Sequence, residues 1–357
     1  MKSISLCMIV RDEEKVIGRC LASVADLVDE IILVDTGSLD QTKAVAAKYT
    51  DQIYDYEWMD DFAAARNFSF SKASGDYVMW LDADDVLLEE DREKFRALRE
   101  ALNSTIHTVM MRYHVAFDAQ GNPTCSYYRE RLLLRSLNPR WQGAVHEVIA
   151  PMGNVIYSDI AVTHRKLGPG DPDRNLRIFE KLIARGEKLD PRQRYYYARE
   201  LYYHERYDEA AEKLEEFLDS GEGWSENCIN ACEDLANCRY RLGDADGALQ
   251  ALLRGFVYDA PRAELCCAIG GHFLSRDRLP QAVFWYELAL TRGSGEEEGG
   301  FANADASGYL PCLQLCVCYD RLGEHARAAD YNERAAVYKP DDPAVAYNRK
   351  YFASMGI

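Results

Sequence analysis

Short apolar runs alternate with amphipathic stretches through the first hundred residues. Residues 4–10 (ISLCMIV), 31–34 (IILV) and 77–81 (YVMWL) are rich in β-branched and aromatic side chains, and each is followed by an acidic or glycine-containing turn. That pattern predicts strands buried on both faces. Helical periodicity over 14–25, 41–48 and 62–73, with a short edge strand near 52–54, gives the order β-α-β-α, edge strand, α-β, which predicts an open α/β sheet. Ligands of such sheets bind beyond the carboxyl ends of the strands. Those ends carry Arg11-Asp12-Glu13, Asp35-Thr36-Gly37-Ser38 and Asp82-Ala83-Asp84-Asp85, so three polar clusters are expected on one rim.

The pattern loosens after residue 105. Strands are expected at 108–117, 128–135 and 155–162, forming a more antiparallel half of the same domain, and Gly168-Pro169-Gly170-Asp171-Pro172 marks its end. The expected division is therefore a domain at 1–168, with halves 1–105 and 106–168, and a second domain at 172–357. The second is helical and repetitive. Ala210, Ala248, Ala282 and Ala328 follow similar aromatic and turn residues at spacings of 38, 34 and 46, a base period of 34 with insertions. This period resembles the tetratricopeptide repeat. The acidic, glycine-rich segment 294–300 accounts for the longest spacing and is expected to be mobile.

Composition narrows the function. The net charge of −17 is spread over both halves of the chain and no basic stripe is visible, which excludes a duplex nucleic-acid binder. No apolar run approaches the roughly 18 residues that would span a bilayer, and no secretory leader is apparent, so a cytoplasmic address is expected. The eleven cysteines lack any CxxC pair and sit mostly on apolar helical patterns. They read as small core hydrophobes of a reducing compartment.

The strongest chemical signal is Trp80-Leu81-Asp82-Ala83-Asp84-Asp85 at the end of a buried strand. Carboxylates two apart on an extended rim can meet one hard cation and the phosphates beside it, because Mg²⁺ and Mn²⁺ prefer oxygen ligands and keep positions open for a diphosphate. A solvated acidic turn capping the next helix, from near Leu88, is the plainer reading. Residues 5–13 (SLCMIVRDE), 34–42 (VDTGSLDQT) and Asp82-Ala83-Asp84 together resemble the family 2 glycosyltransferases of the GT-A fold: an opening strand with a nucleotide-contacting turn, a VDDGSTDGT segment and a DxD motif. The resemblance implies a nucleotide-sugar donor, usually UDP-linked, bound by the turn at Arg11 and Glu13, by Asp35 and Ser38, and by Asp82, Ala83 and Asp84, with Mg²⁺ or Mn²⁺ on Asp84. Thr36 stands where many relatives have a second aspartate.

Further candidates follow the same rim. Asp61-Phe62-Ala63-Ala64-Ala65-Arg66-Asn67 is similar to DFSxARN segments of this family subset, placing Arg66 toward the donor, although pairing with Asp60 or Asp61 is the simpler alternative. Arg129, Arg131 and Arg135 alternate along one expected strand and share a face, and Arg131 is preferred as a phosphate ligand. Trp141-Gln142-Gly143-Ala144-Val145-His146-Glu147 resembles the WxGxVHE segment of family 2 enzymes fused to tetratricopeptide repeats. Either His146 or Glu147 could serve as general base, and a loop-orienting His146 with a helix-capping Glu147 stays open. His164 looks like the late histidine that completes the metal shell in many GT-A enzymes.

The whole layout, a GT-A α/β domain followed by an all-α tetratricopeptide solenoid, resembles the S-glycosyltransferases of glycocin bacteriocins. It implies an inverting, metal-dependent transferase whose repeats recruit a peptide or protein acceptor, through Cys or Ser, or join two subunits. A glycan or lipid-linked acceptor and a non-catalytic scaffold are the alternatives. Nucleotidyl transfer is disfavoured because no glycine-rich, lysine-bearing phosphate loop follows the first strand.

Overall fold

The computed structural model describes residues 1–117, 121, 123–168, 170–292 and 304–357. The expected mobile segment at 294–300 lies outside these residues. Two compact units divide the chain, Met1–Lys188 and Leu189–Ile357.

The first unit is built on one eight-stranded sheet: β1 (Ile4–Val10), β2 (Glu30–Asp35), β3 (Ile53–Asp55), β4 (Tyr77–Trp80), β5 (Asp85–Val86), β6 (Thr108–Phe117), β7 (Pro123–Leu134) and β8 (Val155–His164). Its order is β3-β2-β1-β4-β7-β6-β8-β5. Strands β3, β2, β1 and β4 run parallel, as the alternation of apolar runs and helices requires. Within the second half β7 pairs antiparallel with β4 and with β6, but β8 runs parallel to β6, so this half is mixed.

Both sheet faces are covered. The even positions of β1, Ile4, Leu6, Met8 and Val10, join Ile17 and Leu21 of α1 (Ile17–Val24) and Phe95 of α4 (Glu89–Ala101) in one core. Cys7 turns the other way and packs with Val78, Trp80, Trp141 and Phe70 of α3 (Phe62–Lys72) in a second core. This two-sided burial is why the strands read as continuous apolar runs rather than alternating ones. Helix α2 (Thr42–Ala46) is a short connection, and α5 (Arg174–Ala184) closes the unit. Helix α1 begins three residues later than its periodicity suggests, because Val16 and Ile17 use their N–H groups on the carbonyl of Glu13 in a turn.

The second unit consists of α6 (Pro191–Tyr203), α7 (Tyr207–Ser220), α8 (Ser225–Arg241), α9 (Ala245–Arg254), α10 (Ala263–Leu274), α11 (Leu279–Ala289), α12 (Tyr309–Arg321), α13 (His325–Tyr338) and α14 (Pro343–Ser354). Short turns join α6 to α7, α8 to α9, α10 to α11 and α12 to α13. The residues in the left-handed conformation at these turns are Glu205, Gly243, Asp277 and Gly323, and they repeat at the same spacings as the alanines. Ala210, Ala248, Ala282 and Ala328 are each 0 % exposed. A small side chain there lets the paired helices approach closely, which explains the periodic signal. Ten of the cysteines are buried and Cys125 is partly so; all eleven are free, as expected of core residues. Among the described residues no helix is long and apolar enough to cross a membrane.

Gly270 shows how tight this packing is. A Cβ at this position would lie 2.9 Å from the ring of Tyr286, itself only 3 % exposed. Gly270→Val is expected to lower stability by about 2 kcal/mol through overpacking, read from the denaturant midpoint; an unchanged midpoint would contradict this account.

Candidate functional site

The three polar clusters do meet at the carboxyl ends of β1, β2 and β4, and their loops are knitted together. The N–H of Asp12, a residue with φ of 55°, donates to Ser38 Oγ at 3.0 Å, and the N–H of Glu13 donates to Thr42 Oγ1 at 2.7 Å. The Asp12 carboxylate in turn accepts from the N–H of Leu39 at 2.7 Å. Asp35 Oδ1 accepts from the N–H groups of Gly37 and Ser38 at 2.9 and 2.8 Å, and Gly37 permits this turn with φ of 104°. The second oxygen of Asp35 is buried and has no hydrogen-bond partner among the described residues. Arg11 projects from the same rim into solvent, beside Asp12.

The acidic turn 82–85 distributes its carboxylates among different partners. Asp82 Oδ1 accepts from Arg66 Nη2 at 2.8 Å. Asp85 is fully enclosed: Oδ2 accepts from Arg131 Nη1 at 3.1 Å, and Oδ1 accepts from the hydroxyl of Tyr113 at 2.9 Å. Ala83 is buried, and the Asp84 side chain keeps 17 % of its surface exposed. The turn therefore does not cap the next helix: α4 starts after Leu88 with no side-chain cap.

Pairing of β5 with β8 sets Asp85 opposite His164. The ring Nδ1 of His164 lies 3.2 Å from Asp85 Oδ1, 3.4 Å from Asp84 Oδ1 and 3.0 Å from the Tyr113 hydroxyl. Asp84, Asp85 and His164 offer two oxygens and a nitrogen within 4.8 Å of one another. Such a set suits a hard divalent cation that tolerates one imidazole. Asp84 and His164 were legible as candidates in the sequence. Asp85 and Tyr113 were not: Asp85 is overshadowed by the DxD spacing, and only the β6–β8 register brings Tyr113 to the cluster.

Arg131 differs from its expected role. It is 0 % exposed, donates to the Trp80 carbonyl at 3.2 Å as well as to Asp85, and lies 3.8 Å from the Trp80 ring centroid and 4.4 Å from that of Tyr113. A guanidinium so enclosed presents no surface to a phosphate and acts instead as the counter-ion of Asp85. The pairing register shifts by one across Val109/Met110, making Arg131 the extra residue of a β-bulge, so simple alternation fails there. Arg129 also lies against Trp80, at 4.9 Å, and is paired with Glu130. Arg135 leaves the strand and donates to the carbonyls of Gly75 and Ser74.

The segment 141–147 docks on α3. Asn67 exchanges two hydrogen bonds with the backbone of Trp141, both at 2.9 Å, and the N–H of Phe62 donates to the carbonyl of Ala144 at 2.8 Å. Glu147 Oε1 accepts from Arg66 Nε at 2.7 Å. His146, with φ of 52°, stacks loosely on Phe179 at 6.4 Å, so the two adjacent side chains have different partners. Arg66 thus pairs with Asp82 and Glu147, whereas Asp61 caps α3 and Asp60 pairs with Lys181.

Charge compensation around the rim is uneven. Burial opposes ionisation of Asp82, but Arg66 and Arg131 outweigh it and hold its carboxyl below the usual range. Asp84 is raised, by burial first and then by Asp82 and Asp85, with His164 opposing; the His164 ring is raised by its hydrogen bond to Asp85 and by the other carboxylates. Glu13 is pushed up to about 7 by burial and by Asp84, Asp82, Asp40 and Asp12. A rim with excess carboxylate is one that a divalent cation would relieve.

Residues 5–146 match the family described as glycosyl transferase family 2. The chain is similar to a TPR repeat-containing protein of Synechococcus elongatus, 38% identical over 149 residues covering 42% of this chain and 36% of that one. It is also similar to the SPbeta prophage-derived glycosyltransferase SunS of Bacillus subtilis, 27% identical over 236 residues, 61% of this chain and 54% of the relative. The lipopolysaccharide core biosynthesis glycosyltransferase LpsC of Rhizobium meliloti is 29% identical over 162 residues, covering 43% and 58%. The chain thus spans roughly a third to a little over half of the length of these curated relatives.

Two outcomes test the electrostatics. Arg131→Met strips Asp85 of its buried counter-ion and is expected to cost about 3–5 kcal/mol of stability, measured by chemical denaturation; a loss under 1 kcal/mol would show that the pair is not a keystone. Glu13 binds its proton more tightly folded than unfolded, so its contribution is fully present below pH ~4.5 and is lost as pH rises through about 7. Without added metal, Glu13→Gln is expected to melt with the parent protein at pH 4.5 and above it at pH 8; a gap that is constant with pH would refute the shift.

Proposed function

We propose that the chain is a metal-dependent glycosyltransferase that moves a sugar, with inversion, from a nucleotide-sugar to an acceptor nucleophile. The observation that carries this reading is the convergence of Glu13, Asp35, Asp82, Asp84 and His164 on one strand-end rim within a family 2 domain. A UDP-hexose is the proposed donor. The unpartnered buried oxygen of Asp35 is suited to accept from a nucleobase or ribose donor group, and Arg11 and Ser38 border the same turn.

Asp84 and His164 are the proposed holders of Mn²⁺ or Mg²⁺, with Asp85 beside them as the third group of the cluster. When bound there, the cation would offset the negative charge that develops on a departing diphosphate. Asp82, held ionised by Arg66, faces the region where the sugar would lie and can accept from its hydroxyls. On the acceptor side Glu147 or His146 would take the proton of the incoming nucleophile. Arg66 pairs with Glu147, and His146 stacks loosely on Phe179.

A peptide or protein side chain, Cys or Ser, is the proposed acceptor, recruited by the repeats, which could alternatively join two copies of the chain. Likeness to SunS, a prophage-derived glycosyltransferase, supports the sugar transfer itself. Likeness to LpsC supports the second reading, a glycan or lipid-linked acceptor, since that relative is described as acting in lipopolysaccharide core biosynthesis.

The test is calorimetric titration with UDP and other nucleoside diphosphates, with and without Mn²⁺, on the parent protein and Asp84→Ala. UDP binding that requires both the metal and Asp84, with at least a tenfold loss in the variant, is expected. Equal affinity in Asp84→Ala would remove the metal role, and no nucleotide binding at all would favour a scaffold.

A further inference from the structure

Arg66 occupies a place that neither a donor ligand nor a surface arginine would. Its side chain is only 9 % exposed. One edge of the guanidinium donates from Nε to Glu147 at 2.7 Å, and Nη2 donates to Asp82 at 2.8 Å. The guanidinium carbon lies 5.1 Å from the Trp80 ring centroid and 4.8 Å from that of Trp141. Two of the three guanidinium nitrogens and the neighbouring indole rings are therefore engaged within the protein, and the planar fork is what allows two carboxylates to share one cation.

The two carboxylates come from distant parts of the chain and from the two halves of the domain. Asp82 ends the β4 segment, and Glu147 sits in a loop closed by reciprocal backbone hydrogen bonds between Gln142 and Val148 at 2.9 and 3.0 Å. Helix α3 carries both Arg66 and Asn67, and Asn67 fixes the start of that loop. Backbone docking thus places the loop, and a single side chain connects its carboxylate to the acidic turn.

We propose that Arg66 is a positioning residue that couples the acceptor-side carboxylate Glu147 to the donor-side carboxylate Asp82, and does not itself hold the donor phosphates. The inference rests on the proposed donor and acceptor sides of the rim. It makes the placement of Glu147 conditional on the state of Asp82: whatever engages Asp82 changes how tightly the shared cation holds Glu147.

The test combines Arg66→Gln, Arg66→Lys, Glu147→Gln and the double variant Arg66→Gln/Glu147→Gln. Melting of the parent, Arg66→Gln, Glu147→Gln and the double variant supplies a cycle that needs no substrate. The double variant is expected to melt within about a degree of the less stable single variant, because each change removes the same contact; additive losses would overturn the coupling. Calorimetric UDP binding with Mn²⁺ is expected to stay within threefold of the parent in Arg66→Gln. A loss of tenfold or more, present equally in the Glu147→Gln background, would make Arg66 a donor ligand and overturn the proposal. In turnover of UDP-glucose, kcat is expected to fall at least tenfold in Arg66→Gln with KM nearly unchanged, and Arg66→Lys to recover part of it. If Arg66→Gln does not fold, the cycle is closed with Arg66→Lys, Glu147→Gln and Arg66→Lys/Glu147→Gln, where non-additive losses are again expected and additive ones would overturn the coupling. Absence of UDP binding by the parent protein would count against the proposed donor site, while the melting cycle would still decide the coupling.

Discussion

The site is organised by an ion pair that never meets solvent. Arg131 and Asp85 are both fully buried, at the point where a β-bulge in β7 faces the acidic turn that follows β4. Isolated in the interior, either charge would be prohibitive; together, with Arg131 Nη1 also donating to the Trp80 carbonyl and the Tyr113 hydroxyl donating to Asp85, they are held in one arrangement, although Arg131 Nε and Nη2 find no partner among the described residues. From that anchor the rest follows: Asp85 orients His164, His164 faces Asp84, and Asp82 is turned toward Arg66.

A second consequence is the sorting of four neighbouring carboxylates into two kinds. Asp82 and Asp85 each pair with an arginine as part of the fold, Asp82 sharing Arg66 with Glu147. Among the described residues Asp84 and Glu13 pair with no arginine, and both are raised, by burial first and then by neighbouring carboxylates. Proteins carry such unrelieved charge at functional positions, where a ligand provides the missing compensation. The same sorting separates Arg66 and Arg131 from the ligand-binding roles that arginines near phosphate sites usually suggest. Both are counter-ions inside the wall, and their aromatic neighbours Trp80, Trp141 and Tyr113 exclude the water that would otherwise weaken those pairs.

The helical unit obeys a simpler constraint. Close approach of paired helices demands a small residue at one position of each repeat and a left-handed residue at each turn. Ala210, Ala248, Ala282 and Ala328 meet the first demand, and Glu205, Gly243, Asp277 and Gly323 the second. Two of the four turns use an acidic residue where glycine is the cheaper choice, so the turn signal alone is degenerate and the alanine spacing is the clearer mark.

By itself the sequence determined the features that depend on local periodicity. Continuous apolar runs specified the parallel strands, the acidic and glycine-containing ends specified the rim, and the 34-residue period specified the helix pairs. Candidate chemistry at Asp35, Asp82, Asp84, Glu147 and His164 was legible because residue type and strand-end position suffice to suggest it. What only the tertiary structure decided is which charges meet. The bulge at Arg131, the pairing of β5 with β8 and the docking of Trp141 on Asn67 join residues between 46 and 79 positions apart. Such pairings leave no periodic trace, because a register shift of one residue reverses a side chain's face without altering the pattern of apolar positions around it. Arg131 was therefore read as a ligand and Asp85 passed over, although the burial of one beside the other is what sets the geometry of the site.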